Sequence, residues 1–327
     1  MNIKTSPVVL RSSAPAFNLQ QFYARYGILA ALIALCIFLS FSNQYFMSWG
    51  NWADILRQTS INGILAIGMT FVVLTAGIDL SVGAILAIAG MVSAWMIAGD
   101  GAHGLTASLL AGLGVGALLG AVNGLLVARL SVPPFVATLG MLSAARGLTY
   151  IYNDGMPVSD LPDDFLAIGA GHVWQVPVPI LIFAAVIAIS WFVLRYTVYG
   201  RYIYAVGGNP KSARTSGIST RKVLFAVYVV SGLLAALAGI LLAARTTAAL
   251  PQAGVSYELD AIAAVVIGGT SLSGGTGSLG GTVVGALLIG VINNGLNLLG
   301  VSSYYQQVIK GVIIVGAVLL DASRKKQ

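Results

Sequence analysis

The sequence predicts an all-α polytopic membrane protein with about ten transmembrane helices. Of its 327 residues, 57% are hydrophobic and only 8% are charged, whereas an ordinary soluble domain carries about 25% charged residues. A water-soluble surface cannot be built from so few charges. The 40 glycines point the same way, because glycine is common in transmembrane helices, where it allows neighbouring backbones to approach closely.

The helices are predicted from apolar segments that polar or glycine-rich stretches separate. At roughly 20 residues for each crossing, the chain has room for about eight to eleven spans and for no sizeable soluble domain. The ten segments lie at about 27–46, 57–76, 80–98, 105–128, 134–152, 177–195, 223–244, 259–272, 280–299 and 305–321. A basic leader precedes the first segment, but no small-x-small cleavage site follows it, so we interpret it as an uncleaved span.

The charge distribution predicts how the spans are oriented. Residues 153–176 contain four aspartates and no Lys or Arg, whereas residues 195–222 contain six basic residues and no acid. Because cytoplasmic loops carry the excess of Lys and Arg, the acidic loop is expected outside and the basic loop inside. The predicted organisation is therefore a cytoplasmic amino-terminal segment (1–26), a single transmembrane domain (27–321) with a cytoplasmic loop (196–222), and a cytoplasmic tail (322–327).

The two halves of the chain resemble each other faintly. The stretch VGALLGAVNGL at 115–125 is similar to VGALLIGVINNGL at 284–296, about half the chain away. A half would hold five spans, so its copy would enter the membrane from the opposite side. This predicts two inverted five-helix repeats, an arrangement that transporters use around a site at the membrane midplane. Chance similarity among small apolar residues is the alternative.

The longest glycine-rich stretch, GGTSLSGGTGSLGG at 268–281, contains a formal match to the dinucleotide-binding pattern G-x-G-x-x-G. Its flanks are membrane-like, no acid follows at 290–305, and no Lys lies between 246 and 309, so neither a dinucleotide site nor a Walker motif is expected. We expect a break between helices instead. Its unpaired backbone groups would be tolerated only inside protein or along a water-filled cavity.

A second break is expected at 74–84, LTAGIDLSVGA. Asp79 is an ionisable residue at membrane depth, which is a functional-site hypothesis by default; a helix N-cap is the alternative. Amides and hydroxyls elsewhere in the spans serve either interhelical hydrogen bonds or a path for a polyhydroxylated solute. The residues expected along such a path are Asn62, Thr75, Asp79, Ser81, Thr270, Ser271, Asn293 and Asn294.

The basic loop contains a short predicted helix, NPKSARTSG at 209–217. Asn209 is suited to cap it, Pro210 to occupy its first turn and Gly217 to end it. A short helix of this kind could dock into a partner protein, and a basic loop facing anionic lipid is the alternative.

Several stretches resemble the membrane permeases of bacterial ABC importers for monosaccharides. They are LTAGIDLSVGA at 74–84, GRYIYAVGGNPKSARTSGI at 200–218, and the region from YELDAIAAVV to SSYYQ at 257–306. The resemblance runs from about residue 45 to the tail. It implies a transport subunit and not an enzyme, in the bacterial inner membrane, with ribose favoured as the sugar.

The resemblance also implies the partners of such a subunit. They are a second copy of the permease, a cytoplasmic ABC ATPase that holds ATP and Mg, a periplasmic sugar-binding protein and membrane lipid. We expect no nucleic acid as a partner, and no cofactor or metal in this chain. Residues that match the motif of the ATPase-coupling helix are Gly207, Gly208, Asn209, Ala213, Ser216, Gly217 and Ile218. Residues available outside for docking the binding protein are Asp160, Asp163, Asp164, Arg245 and Glu258.

Two other functions remain open at this point. An ion-coupled secondary sugar transporter would also have inverted repeats and broken helices, but the spans lack a chain of carboxylates and histidines to relay protons. A membrane enzyme would need a polar catalytic group, for which Asp79, Glu258 and Asp260 are candidates without a convincing set of partners.

Overall fold

About three quarters of the chain is helical and the described residues contain only two short strands, which confirms the predicted all-α class. The computed structural model describes residues 19–98 and 103–324. The helices are α1 (Leu19–Ser42), α2 (Trp49–Leu74), α3 (Val82–Ala98), α4 (Leu105–Ala128), α5 (Pro134–Tyr152), α6 (Asp163–Ala170), α7 (Val178–Tyr196), α8 (Val198–Gly208), α9 (Pro210–Thr215), α10 (Thr220–Arg245), α11 (Tyr257–Ile267), α12 (Leu279–Leu298) and α13 (Ser303–Arg324). Strands β1 (His172–Val173) and β2 (Val176–Pro177) form a small antiparallel hairpin.

Each of the ten predicted apolar segments overlaps one of these helices. The polar loops are more structured than the sequence indicated, since α6 and the hairpin lie in the acidic loop and α8 in the basic loop. Helix α1 begins at Leu19, inside the segment that was predicted to precede the first span. Most of that segment, residues 1–18, and the end of the predicted tail, 325–327, lie outside the described residues.

Five helices of the described residues are long and apolar enough to cross a membrane: α2, α4, α7, α10 and α12. Two shorter apolar helices, Gly27–Ser42 and Val82–Ala98, accompany them. Helix α11 has 11 residues, which is about 16 Å of helix and roughly half of a bilayer's hydrocarbon thickness. The chain therefore contains both full-length and broken membrane segments.

The core lies where α2, α3 and α10 pack together. Helix α2 is buried without interruption from Thr59 to Leu74, and most of α3 is buried too. Helices that are apolar on all sides are expected at the centre of a bundle, where they have no water-facing side. The remaining helices surround this centre.

The glycines of α4 produce a close crossing with α10. Gly112, Gly116, Gly120 and Gly124 recur every four residues and face α3 and α10. A Cβ on Gly116 would overlap the Gly232 carbonyl oxygen of α10, and a Cβ on Gly120 would overlap the Tyr228 carbonyl oxygen. Small residues at this spacing let the two backbones touch, which is how helices pack where no hydrophobic effect drives them together.

Candidate functional site

The two predicted breaks are present, and they meet the end of α8. Helix α2 stops at Leu74 and α3 starts at Val82, while α11 stops at Ile267 and α12 starts at Leu279. The Gly275 amide donates a hydrogen bond of 2.9 Å to the Leu74 carbonyl oxygen, which joins the two breaks directly.

Helix α8 contacts both breaks through its terminal glycines. A Cβ on Gly207 would overlap the Leu74 carbonyl oxygen and would lie 2.6 Å from the Gly275 nitrogen. A Cβ on Gly275 would lie 2.6 Å from the Gly208 Cα. Three backbone segments therefore meet with no side chain between them, and we call this contact of Leu74, Gly207, Gly208 and Gly275 the glycine junction.

Two further contacts hold the glycine junction in place. A Cβ on Gly274 would lie 2.7 Å from the Ala76 nitrogen, and Gly274, Gly275 and Ala76 all have positive φ angles. The Tyr204 hydroxyl of α8 donates a hydrogen bond of 3.2 Å to the Gly277 carbonyl oxygen. Because the packing is backbone against backbone, no side chain lies there whose rotation could absorb a displacement of α8.

Tyr199 and Tyr204 of α8 stay uncharged at neutral pH. Burial raises the pKa of Tyr199 to about 12. Burial also raises the pKa of Tyr204, and the positive charge of Arg195 opposes part of this shift. A phenol whose pKa lies above its usual value keeps its proton at pH 7, so Tyr204 remains a hydrogen-bond donor to the Gly277 carbonyl.

The short helix α9 follows directly, and its local geometry confirms the sequence prediction. The Asn209 side chain accepts hydrogen bonds from the amides of Lys211 (3.1 Å) and Ser212 (3.0 Å), and Pro210 occupies the first turn. Gly217 has φ +82°, its amide donates to the Arg214 carbonyl, and the Ile218 amide donates to the Ala213 carbonyl. These two hydrogen bonds form a Schellman motif, which ends the helix.

Helix α9 presents most of its surface outward. Ala213 is buried and Ile218 is half-buried, and both belong to or pack against the main core. Lys211, Arg214 and Ser216 are exposed. The helix is thus fixed to the bundle on one side and open to a partner on the other.

Asp79 lies in the first break, and its side chain is completely buried. The amide and hydroxyl of Ser81 donate to one carboxylate oxygen, and the Ser231 hydroxyl of α10 donates to the other at 2.8 Å. The Asn123 amide of α4 donates to the Ser81 hydroxyl at 2.9 Å. The bond to the Ser81 amide lies ahead of α3, which begins at Val82, and the second carboxylate oxygen accepts from Ser231 of α10.

The other residues expected along a path are spread over the bundle. Thr75 donates back to the Val72 carbonyl, and Asn294 donates to Asn51 at 2.7 Å. Ser271 accepts a bond from the Ser273 amide inside the second break. Side-chain oxygens that are buried without a hydrogen-bond partner among the described residues belong to Asn62, Thr270 and Asn293, among others. No hydrogen bond in the described part of the chain joins these groups to Asp79.

Two basic residues inside the predicted spans were missed. Arg146 of α5 donates to the carbonyl oxygens of Pro251 at 2.7 Å and Ala253 at 2.8 Å. Lys310 of α13 forms an ion pair of 2.9 Å with Asp260 of α11. The signal was available, because an ionisable residue inside an apolar segment indicates a functional or structural role.

The acidic loop and the segment 245–258, which were both expected outside the membrane, lie side by side. Asp160, Asp163 and Asp164 are exposed at and before the start of α6. Val158 and Ala249 exchange backbone hydrogen bonds of 2.9 Å, which joins the acidic loop to the segment after Arg245. Glu258 differs from the others, because its carboxylate lies against Gly83 at the start of α3.

The comparisons with known proteins agree with this architecture. Residues 51–318 match the family described as the permease component of the branched-chain amino acid transport system. This chain belongs to that permease family. It is therefore a multi-pass membrane protein and a transport subunit, not an enzyme, which confirms the permease part of the resemblance found in the sequence. Among the described residues no group of three or more His, Cys, Asp or Glu could hold a metal ion.

Several curated relatives match over nearly their whole length. The ribose import permease RbsC of Haemophilus influenzae is 47% identical over 317 residues, covering 96% of this chain and 98% of the relative. RbsC of Escherichia coli K12 is 50% identical, covering 91% and 93%. The D-allose transport system permease AlsC of Escherichia coli K12 is 43% identical, covering 95% of both. No solved structure matches this chain.

Proposed function

We propose that this chain is the membrane permease subunit of an ATP-driven, binding-protein-dependent importer that moves a monosaccharide into the cytoplasm by alternating access. The glycine junction is the observation that carries this proposal. It connects the end of α8, which leads directly into the exposed helix α9, with both broken membrane segments. Ribose is the favoured sugar, since ribose import permeases are 47% and 50% identical to this chain over nearly their full lengths.

The proposed architecture has ten transmembrane helices in two inverted five-helix repeats, with both termini in the cytoplasm of a bacterial inner membrane. Three matched sets of contacts support the repeat. The contact between α4 and α10 corresponds to that between α12 and α2. The contact between α3 and α4 corresponds to that between α11 and α12, and the contact between α3 and α5 to that between α11 and α13. The basic loop and the acidic loop then lie on opposite sides of the membrane, as the distribution of Lys and Arg favours.

Energy enters this chain through α9. A cytoplasmic ATPase subunit, which holds ATP and Mg, contacts the exposed side of α9, and its closure on ATP displaces that helix. The residues that form the helix, its ends and its link to the bundle are Gly207, Gly208, Asn209, Ala213, Ser216, Gly217 and Ile218. The glycine junction passes the displacement to the breaks beside α3 and α12, and two permease copies rock between inward-facing and outward-facing states.

The sugar path uses weak polar contacts, because tight binding inside the membrane would slow release. The residues proposed for it are Asn62, Thr75, Asp79, Ser81, Thr270, Ser271, Asn293 and Asn294. Tight binding belongs to a separate periplasmic protein, which docks on the outer surface formed by Asp160, Asp163, Asp164, Arg245 and Glu258. The adjacency of the acidic loop and the segment after Arg245 supports a single docking surface.

The deciding experiment measures ATP hydrolysis in liposomes that contain this chain and its ATPase, with and without ribose-loaded binding protein. Gly217→Arg alters the end of α9, where φ is +82° and a Cβ would meet no described atom within 4 Å. Gly300→Arg is the matched control, since Gly300 has φ +70° and equally open surroundings between α12 and α13. We expect stimulation by the loaded protein in wild type and in Gly300→Arg, and none in Gly217→Arg.

Two outcomes would overturn the proposal. Equal stimulation in all three proteins would remove α9 from the coupling mechanism. Sugar uptake by the chain alone on an ion gradient would instead favour an ion-coupled secondary transporter.

A further inference from the structure

An open groove of about 780 Å³ lies where α4 ends and α10 begins. Three cationic side chains line it: Arg129, Arg221 and Lys222. Leu125 and Phe225 form its apolar wall, and Ser219 adds a hydroxyl that makes no capping hydrogen bond to α10. The groove therefore combines concentrated positive charge with hydrocarbon surface.

Among the described residues, no acidic side chain lines the groove or pairs with these charges. The ion pairs found there are Asp54 with Arg57 and Lys310 with Asp260. Three like charges around one groove repel each other unless an anion lies between them. The groove is thus complementary to an anionic ligand.

The position of the groove defines what kind of anion reaches it. Helices α4 and α10 are both long enough to span a membrane, and they touch until Gly124, where a Cβ would lie 2.8 Å from the Phe225 carbonyl oxygen. Beyond that contact the cationic residues follow at the helix ends. The groove consequently lies at an interface between the apolar and polar zones of a bilayer.

An exposed apolar stripe leads from the groove along α4. Leu118, Val122 and Leu125 are 63%, 37% and 41% exposed and occupy successive turns on the side of Arg129. An acyl chain can lie along this stripe while its headgroup stays in the groove. A soluble anion would use the charges but would leave this apolar surface uncovered.

We propose that the groove binds the headgroup of an anionic glycerophospholipid. The guanidinium groups of Arg129 and Arg221, the ammonium of Lys222 and the hydroxyl of Ser219 donate to the phosphate oxygens, and one acyl chain follows Leu118, Val122 and Leu125. Basic pockets between transmembrane helices are suited to such headgroups, and charge-assisted bonds to phosphate are strong. The proposal rests on the membrane location of this transport subunit and on no step of transport.

The bound lipid would lie beside the end of α9 and the turn that follows it. Ser219 and Arg221 also line a neighbouring recess with Arg214 and Ile218, which belong to the end of α9 and the turn after it. A headgroup in the groove therefore stabilises the start of α10 and the position of α9 that depends on it.

The test measures lipid retention by the purified chain in detergent, using native mass spectrometry with added phosphatidylglycerol or phosphatidylcholine. The groove variant carries Arg129→Gln, Arg221→Gln and Lys222→Gln. The matched control carries Arg195→Gln, Arg201→Gln and Lys211→Gln, which removes the same charge from three exposed residues outside the groove. In detergent, only basic residues that contact the bound headgroup contribute to its affinity, and we take about fivefold for each of them, the size of the effect of one basic residue near an anionic membrane surface.

We expect wild type and the control to retain phosphatidylglycerol over phosphatidylcholine with affinities within about twofold of each other, and the groove variant to bind it at least about tenfold more weakly. If the groove variant does not elute as wild type does, Lys222→Gln alone replaces it, with an expected loss of about fivefold.

Three results would overturn the proposal. Equal losses in both triple variants would mean general electrostatic attraction and no defined site. Displacement of the lipid by inorganic phosphate at equal concentration would mean a site for soluble anions. Unchanged lipid retention in the groove variant would mean that the groove holds no lipid headgroup. Failure of transport would affect none of these readings, because lipid retention is measured without ATPase, binding protein or sugar.

Discussion

Gly207 lies against Leu74 so closely that a Cβ on Gly207 would overlap the Leu74 carbonyl oxygen. The same carbonyl accepts the hydrogen bond from Gly275 that joins the two breaks. The contact therefore depends on the absence of a side chain at one residue. Its neighbour Gly208 is less constrained, because the nearest described atom to its Cβ position is the Gly275 Cα at 4.0 Å.

The first prediction compares Gly207→Ala with Gly208→Ala. Both add one methyl group to the same turn of α8, but only the first forces backbones apart. Overpacking of this kind costs about 1–3 kcal/mol. We expect Gly207→Ala to lower the unfolding temperature in detergent and to reduce stimulated ATP hydrolysis at least about tenfold, with Gly208→Ala close to wild type. Equal behaviour of the two variants would show that the close contact has no role.

Much of this arrangement could be predicted from the sequence. The apolar segments and the glycine-rich stretches each have a local signature, so the helices and the breaks at 75–81 and 268–278 were found where they occur. The same holds for α9, since Asn209, Pro210 and Gly217 each satisfy a local backbone requirement. These features depend on residues that are neighbours in the chain.

The long-range contacts could not be predicted in this way. The glycine junction joins residues 74, 207 and 275, and a glycine that is required for a distant contact looks the same in a sequence as one that ends a helix. The bond between Asp79 and Ser231 could likewise not be predicted. Nothing in the sequence distinguishes Ser231 from other polar residues in membrane helices, and only the fold places it beside the carboxylate.

The second prediction concerns the buried bond between Asp79 and Ser231. Asp79→Ala leaves the Ser81 and Ser231 donors without their acceptor, whereas Ser231→Ala removes one donor and leaves the local bonds of Asp79 intact. Asp79→Ala should therefore cost more unfolding free energy. The two changes should be coupled by about 0.5–3 kcal/mol in a double-mutant cycle, as is usual for residues in direct contact. Additive effects in detergent unfolding would contradict a direct contribution from this bond.

The third prediction concerns the ion pair between Lys310 and Asp260. The Asp260 side chain is 4% exposed and the Lys310 side chain 26% exposed, so Lys310→Met would leave a buried carboxylate without its cation. Breaking a buried pair at one partner costs about 3–5 kcal/mol, and removing both charges restores much of the loss. We expect Lys310→Met to unfold at a lower temperature than the double variant Asp260→Asn with Lys310→Met. The reverse order would mean that the pair does not hold α11 to α13.

The fourth prediction concerns the exposed aspartates of the acidic loop. Replacing Asp160, Asp163 and Asp164 together by Asn removes three negative charges from this loop. If the binding protein is guided there by charge, its association rate should fall and should become less sensitive to salt, because exposed charges act mainly on association. Surface plasmon resonance at low and high salt measures both effects. Unchanged docking at low salt, together with unchanged sugar uptake, would mean that these residues form an ordinary solvated loop with no role in docking.

The fifth prediction concerns Arg146, which anchors the segment after α10 from inside α5. One terminal guanidinium nitrogen donates to the carbonyl oxygens of Pro251 and Ala253, and the other donates to the Gly83 carbonyl oxygen of α3 at 3.5 Å. The single nitrogen of a lysine ammonium does not reproduce this planar two-nitrogen fork. Arg146→Lys keeps the charge and loses this clamp. We expect faster amide hydrogen exchange in residues 249–258 of the variant, with unchanged exchange in the α4–α10 crossing as the internal control. If exchange in 249–258 is the same in both proteins, the positive charge alone holds the segment and the fork geometry has no part in it.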